Sequence, residues 1–185
     1  MFMTTDWDLA VLHYIHSFAN PTLNLFFKYI TELGGFRCMA AFLILLLLYA
    51  RTRKIGLQIL VAEILQLVLG GALLKPLIAR LRPFVVDPTL ELIIKAPETY
   101  SFPSGHSSTV FALFFAVMFS DCSRSWKLLA FCLAGLVGFS RLYLQVHYPT
   151  DVLAGACLGS VCGYLSSRLC TKPNALMQEV NCDGN

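Results

Sequence analysis

Two histidines, a carboxylate and three cations stand at the edges of apolar stretches in this 185-residue sequence, at spacings that suit an anion-handling site. Lys75 is followed after six residues by Arg82-Pro83. Pro103-Ser104-Gly105-His106 comes next, and Ser140-Arg141 leads after five residues to His147 and after three more to Asp151. Arginine presents a planar fork of donors matched to phosphate oxygens, and lysine adds a compact third charge. Ser104 and Gly105 stand where a helix is expected to begin. Free backbone N–H groups and the helix dipole favour an anion there, and glycine lets the backbone come close to it. A neutral imidazole is a competent nucleophile toward phosphorus when it is aimed, and Asp151 is spaced to accept the other ring N–H of His147 and fix its tautomer. His106 suits the protonation of a departing oxygen, a step worth about 10²–10⁴ in rate. With cations stabilising the equatorial oxygens, this chemistry calls for no metal and no cofactor. Arg80 and Ser140 lie beside these residues with weaker claims. Taken singly, each cation reads as a snorkelling anchor, each histidine as an interfacial polar residue, and Asp151 as a helix cap. The joint spacing favours a pocket.

Such a pocket needs elements that bring three distant segments together. Hydrophobic residues make up 57% of the chain and charged residues 14%, against about 45–50% and 25% in soluble domains. With a mean hydropathy of +0.67, the chain is expected to be an all-α, polytopic membrane helix bundle of five to six transmembrane helices. The strongest apolar runs are Cys38–Ala50, Ile55–Leu74, Thr109–Phe119, Leu128–Phe139 and Val152–Leu165, several of which need flanking residues to reach the ~20 that cross a bilayer. Asp6–Phe18 suits a helix lying in the interface, and Pro21–Leu33 is a candidate sixth span, short or tilted, that ends at Gly34-Gly35. Alternation of spans puts all three motif segments at one end of the bundle. The long connection Phe84–Phe102 falls at that end too, and loops of such length in tight folds are usually functional. Residues 1–170 read as one membrane-embedded domain and 171–185 as a disordered polar tail.

K-x6-RP, PSGH and SR-x5-H-x3-D, complete and in this order, resemble the type 2 phosphatidic acid phosphatase superfamily of integral membrane lipid phosphatases, over about residues 6 to 170. The resemblance implies His147 as the nucleophile forming a phosphohistidine, Asp151 as its orienting partner and His106 as the general acid. Lys75, Arg82, Ser104, Gly105 and Arg141 would hold the substrate phosphate. A short chain with little outside the bundle is similar to the small bacterial members, which makes undecaprenyl diphosphate the first substrate expected, and phosphatidylglycerophosphate or phosphatidic acid the second. Membrane lipids are the other expected partners, in a bacterial cell membrane. Vanadate-dependent haloperoxidases resemble the family in their oxyanion pocket, but they are soluble. A non-enzymatic lipid-phosphate carrier would need neither His106 nor the His147–Asp151 pair.

Nucleic acid is excluded as a partner, because a net charge of +3 spread over the ends of apolar runs forms no basic stripe. With Lys75, Arg82 and Arg141 reserved for the phosphate, seven basic residues (Arg51, Arg53, Lys54, Arg124, Lys127, Arg168, Lys172) mark one set of helix ends and three (Arg37, Arg80, Lys95) the other. The positive-inside rule then places the pocket outside. Gly155, Gly159 and Gly163 fall on one face of the last span, where another helix can approach. Glu63 is a carboxyl group deep in a span, either functional or buried against a partner. The seven cysteines form no C-x-x-C pair and read as small buried hydrophobes.

Overall fold

In lipid, every backbone N–H and C=O must be paired within the chain, and helices satisfy that requirement segment by segment. The computed structural model describes residues 6–170, which contain helices and no strand; the tail expected over 171–185 lies outside the described residues. In chain order the helices are α1 (Asp6–His16), α2 (Pro21–Glu32), α3 (Phe36–Leu48), α4 (Arg53–Gln66), α5 (Lys75–Ile78), α6 (Pro83–Val86), α7 (Gly105–Met118), α8 (Arg124–Tyr143) and α9 (Pro149–Cys170). A π-helical stretch, Leu67–Leu74, joins α4 to α5. It contains the adjacent glycines Gly70 and Gly71, which have a weak preference for a regular helix.

The chain is an all-helical integral membrane protein, with one correction to the expected span count. By length and hydropathy, Arg53–Val86, Arg124–Tyr143 and Pro149–Cys170 each suffice to cross a bilayer. Helices α2 and α3 reach that length only together, as a pair bent by 48°, and α7 is apolar but has only 14 residues. Pro21–Leu33 is therefore not a sixth span in its own right. Gly34 at the bend is required by close approach: a Cβ there would lie 2.7 Å from Val137 Cγ1 and 3.4 Å from His106 Cδ2.

Helix α7 is the centre of the bundle, packed along α9, α8 and α4. Its Val110, Leu113 and Ala116 share a core with Ile59 of α4, Ala134 and Val137 of α8, and Met39 and Leu43 of α3. Against α9 the contact is backbone to backbone. A Cβ on Gly155 would stand 2.5 Å from Ser104 O, one on Gly163 2.5 Å from Ala112 O, and one on Gly159 would fall on Ser108 O. The glycine stripe is thus a packing seam that fixes α9 against α7.

Helix α1 does not simply float in an interface. Leu12 is fully buried against Leu90 and Tyr148, and Asp8 is buried beside it. The 84–102 connection opens with α6 and folds back over the same end of the bundle, tied to α1 by His13 Nε2 and Asp87 Oδ2 at 2.8 Å. Thr89 donates to Asp87 through its hydroxyl and its amide, and these bonds, with His13, hold the Asp87 carboxyl below the usual range. The cysteines correct a second expectation. Cys162 is buried, but Cys38, Cys132, Cys157 and Cys170 are exposed, because a helix that faces lipid is apolar on its outer side as well.

Candidate active site

Five residues, Leu144 to Tyr148, connect α8 to α9, and all are buried. Gln145 holds φ at 58°, a left-handed conformation that a side chain rarely adopts, and the chain then carries His147 under the first turn of α9. Asp151 in that turn is a hub. Its carboxylate accepts from Ser101 Oγ at 2.5 Å, from the Tyr148 N–H at 3.0 Å and from Arg80 Nη1 at 2.7 Å, while His147 Nδ1 lies 3.5 Å from Oδ2. The backbone carbonyl of Asp151 also accepts from the Ser104 N–H at 3.1 Å, joining the start of α9 to the start of α7.

Arg82 is fixed by carbonyls: Nε donates to Thr99 O at 2.6 Å, Nη1 to Val146 O at 2.8 Å and Nη2 to Tyr100 O at 3.3 Å. Its Nη1 also lies 3.3 Å from His147 Nε2. A guanidinium only donates, so Nε2 must be the accepting, unprotonated nitrogen, and the ring proton sits on Nδ1, toward Asp151 Oδ2 and Ser101 Oγ. Burial, reinforced by Arg141 and Arg82 and opposed by Asp151, holds the His147 imidazole well below its ordinary range, at about 3. It is a neutral base with its lone pair facing a cation.

The remaining motif residues converge on the same place. Lys75 Nζ donates to Thr99 Oγ1 at 3.4 Å, beside Arg82. Arg141 is buried, with Nη1 donating to Thr31 Oγ1 at 2.5 Å and Nε without a hydrogen-bond partner. His106 lies within electrostatic reach of Arg141, His147, Lys75 and Arg82. Ser104 is the N-cap of α7, accepting from the Ser107 N–H and hydroxyl, and a Cβ on Gly105 would meet nothing within 4 Å. An open space therefore adjoins the helix N-terminus, as anion binding requires. Two residues stand apart. Ser140 bonds back to Val137 O at 2.6 Å within its own helix, and Arg80 bridges Asp151 to Asp8 at 2.7 Å on each side.

Sequence reasoning missed Asp8, Thr31, Thr99 and Ser101. Each is a common residue in an unremarkable local context, and no spacing signals them. Among the described residues, no group of three or more His, Cys, Asp or Glu side chains is arranged to hold a metal ion. A cleft of about 600 Å³ opens beside Lys75 and Arg82, with Gly71, Pro76, Leu81, Phe84 and Val85 on its apolar wall and Pro97 to Tyr100 along its rim.

Residues 54–174 match the PAP2 superfamily. The chain is similar to an undecaprenyl-diphosphatase of Sulfolobus acidocaldarius, 36% identical over 149 residues that cover 80% of this chain and 71% of the relative. The fold is similar to the crystal structure of Aquifex aeolicus LpxE (TM-score 0.80, 27% identity, 91% of this chain and 99% of the other). It is also similar to a transmembrane PAP2-type phosphatidylglycerolphosphate phosphatase from Bacillus subtilis (TM-score 0.76, 27% identity, 88% and 84%).

Proposed function

The chain belongs to the PAP2 superfamily of membrane lipid phosphatases, and on that premise we propose that it hydrolyses undecaprenyl diphosphate to undecaprenyl phosphate at the outer leaflet of the cell membrane, without a metal ion. The observation that carries the reading is the neutral Nε2 of His147 facing Arg82 Nη1 at 3.3 Å inside a ring of cations. Nε2 attacks the terminal phosphorus as the bond from phosphorus to the bridging oxygen breaks. Burial and the surrounding cations hold the His106 imidazole neutral, and once the anionic phosphate offsets those cations it is protonated and gives that oxygen its proton. The Nδ1–H of His147 turns to Asp151 as the imidazole gains positive charge. Water then attacks the phosphohistidine, His106 takes a proton from it, and inorganic phosphate leaves with His147 restored. Lys75, Arg82, Arg141 and the α7 N-terminus at Ser104 and Gly105 hold the phosphate oxygens, and the unpartnered Nε of Arg141 supports this role.

The choice of lipid rests on the Sulfolobus relative, whose name gives that substrate. The outward-facing site rests on the seven-to-three distribution of the helix-end basic residues that are not assigned to the phosphate. Phosphate release by the purified protein in detergent tests the reading, with undecaprenyl diphosphate, phosphatidylglycerophosphate, phosphatidic acid and a lipid A phosphate compared in excess EDTA. Fastest turnover of the undecaprenyl substrate, unchanged by EDTA, is expected, together with an acid-labile phosphoenzyme that is absent from His147→Ala. A faster rate on another lipid overturns the substrate assignment, and activity lost to EDTA and restored by a divalent ion overturns the metal-free mechanism.

A further inference from the structure

Arg80 stands between two carboxylates that come from opposite ends of the described chain. Its Nη2 donates to Asp8 Oδ2 at 2.7 Å, and its Nη1 donates to Asp151 Oδ1 and Thr150 Oγ1, both at 2.7 Å. The guanidinium lies over the Tyr148 ring, 4.0 Å from its centroid. Asp8 reaches α9 as well: the Thr150 hydroxyl is 3.1 Å from both of its oxygens and the Thr150 N–H is 3.4 Å from one. Asp8 is 1% exposed, Arg80 5% and Asp151 0%, so the whole chain of charges is withdrawn from water.

We propose that Asp8 is a positioning residue that acts through Arg80 on Asp151, keeping that carboxylate's charge available to His147. The proposal rests on the phosphatase reading above. One guanidinium is shared between two buried carboxylates, so Asp151 receives only part of its charge. An Arg80 paired with Asp151 alone would neutralise the carboxylate that faces the imidazole. His147 becomes cationic only when Nε2 bonds to phosphorus, so the charge preserved by Asp8 acts on the transition state and on the phosphohistidine more than on ground-state phosphate binding. A buried ion pair that served only to dock α1 would affect stability without that selectivity.

The test uses the full chain in detergent with Asp8→Asn and two anions as probes. Orthovanadate can take a fifth bond, to His147 Nε2, and sulfate cannot; both are held by the same cations. Asp8→Asn is expected to lower kcat on the order of tenfold, with KM within about twofold of wild type. It is expected to weaken orthovanadate about as much as it lowers kcat, read from ligand-dependent thermal shifts, and to leave sulfate affinity within about twofold. In an Arg80→Gln background the same change should add little further loss, because the shared guanidinium through which it acts on Asp151 is gone and only the Thr150 contacts remain. Unchanged kcat and vanadate affinity, equal weakening of both anions, or additive losses with Arg80→Gln each overturn the proposal. Should Asp8→Asn fail to fold, Asp8→Glu, which keeps the charge, is expected to hold kcat and both anion affinities within about twofold of wild type, and a loss of about tenfold in its kcat overturns the proposal. A wild type that releases phosphate from no lipid refutes the phosphatase reading alone, since the vanadate-against-sulfate comparison needs no turnover.

Discussion

Gly155→Ala tests whether the α7–α9 seam sets the register of the reacting groups. Gly155 lies one turn below Asp151, and a Cβ there would stand 2.5 Å from Ser104 O, 3.1 Å from Ser107 Cβ and 3.3 Å from Ser108 N. Restoring an ordinary contact of about 3.5 Å to Ser104 O requires the two helices to part by roughly 1 Å at this level. The bond from Ser104 N to Asp151 O, now 3.1 Å, would stretch past hydrogen-bonding range. His147 and Asp151 would then move, as a unit with α9, away from Gly105 and His106 on α7. A misplacement of about 1 Å is worth on the order of 10²-fold in rate, and overpacking of this kind costs about 1–3 kcal/mol of stability. Gly163→Ala is the control, because its Cβ meets Ala112 O at the same 2.5 Å but at the far end of the seam. Initial rates of phosphate release and thermal midpoints in detergent measure both variants. Comparable destabilisation is expected, with the large rate loss confined to Gly155→Ala. A Gly155→Ala enzyme at wild-type rate, or equal rate losses in the two variants, would refute the seam as the device that sets catalytic register.

His106→Ala should be severe for a lipid alkoxide, which leaves poorly unprotonated, and milder for p-nitrophenyl phosphate, whose phenolate leaves unaided. Equal losses on the two substrates would remove the general-acid role. The imidazole of His147 accepts a proton near pH 6.5 when unfolded but only near 3 in the native protein, chiefly because it is buried. The unfolded state therefore binds more protons in that window, and thermal stability should fall as pH is lowered from about 6.5 toward 3. His147→Asn should flatten this dependence in detergent melts, and an unaltered slope would contradict the assignment. In a cysteine-free background, Thr89→Cys should react with a membrane-impermeant thiol reagent on intact cells and Thr52→Cys should not; the reverse pattern would turn the site to the cytoplasm.

Much of the site was legible because each motif lies at a helix end, where hydropathy alternation decides which ends meet. Lys75 with Arg82, Ser104 to His106, and Arg141 with His147 and Asp151 needed only that rule to come together. Asp8 was illegible for the converse reason. The segment around it, with Trp7, Tyr14 and His13, has the pattern of an interfacial helix, and nothing local says that one carboxylate turns inward to an arginine seventy-two residues later. Ser101 and Thr99 act through single hydroxyls in an irregular connection, which has no period to read. The π-helical stretch Leu67–Leu74 is a further obstacle, since its wider turns break the 3.6-residue register and faces deduced for α4 do not continue to Lys75. The cysteines misled because apolar runs in a membrane protein report contact with lipid as readily as burial in protein.

The shortness of α3 and α7 bears on the bilayer itself. Helix α3 has 13 residues and α7 has 14, which at 1.5 Å per residue is about 20 Å, against about 30 Å for a typical hydrocarbon core. Exposed charges bracket α3, with Glu32 and Arg37 at one end and Arg51 and Arg53 at the other, and the Gly34 bend touches His106 at the first of these ends. Helix α8, at 20 residues, is long enough to cross a bilayer by itself. Helix α7 is enclosed by α9, α8 and α4, while α3 joins α2 through the 48° bend, so the lipid-facing surface on the α3 side is carried by a bent pair instead of one straight helix. The bend at Gly34 lies beside His106, so the place where that surface changes direction is also the edge of the candidate pocket.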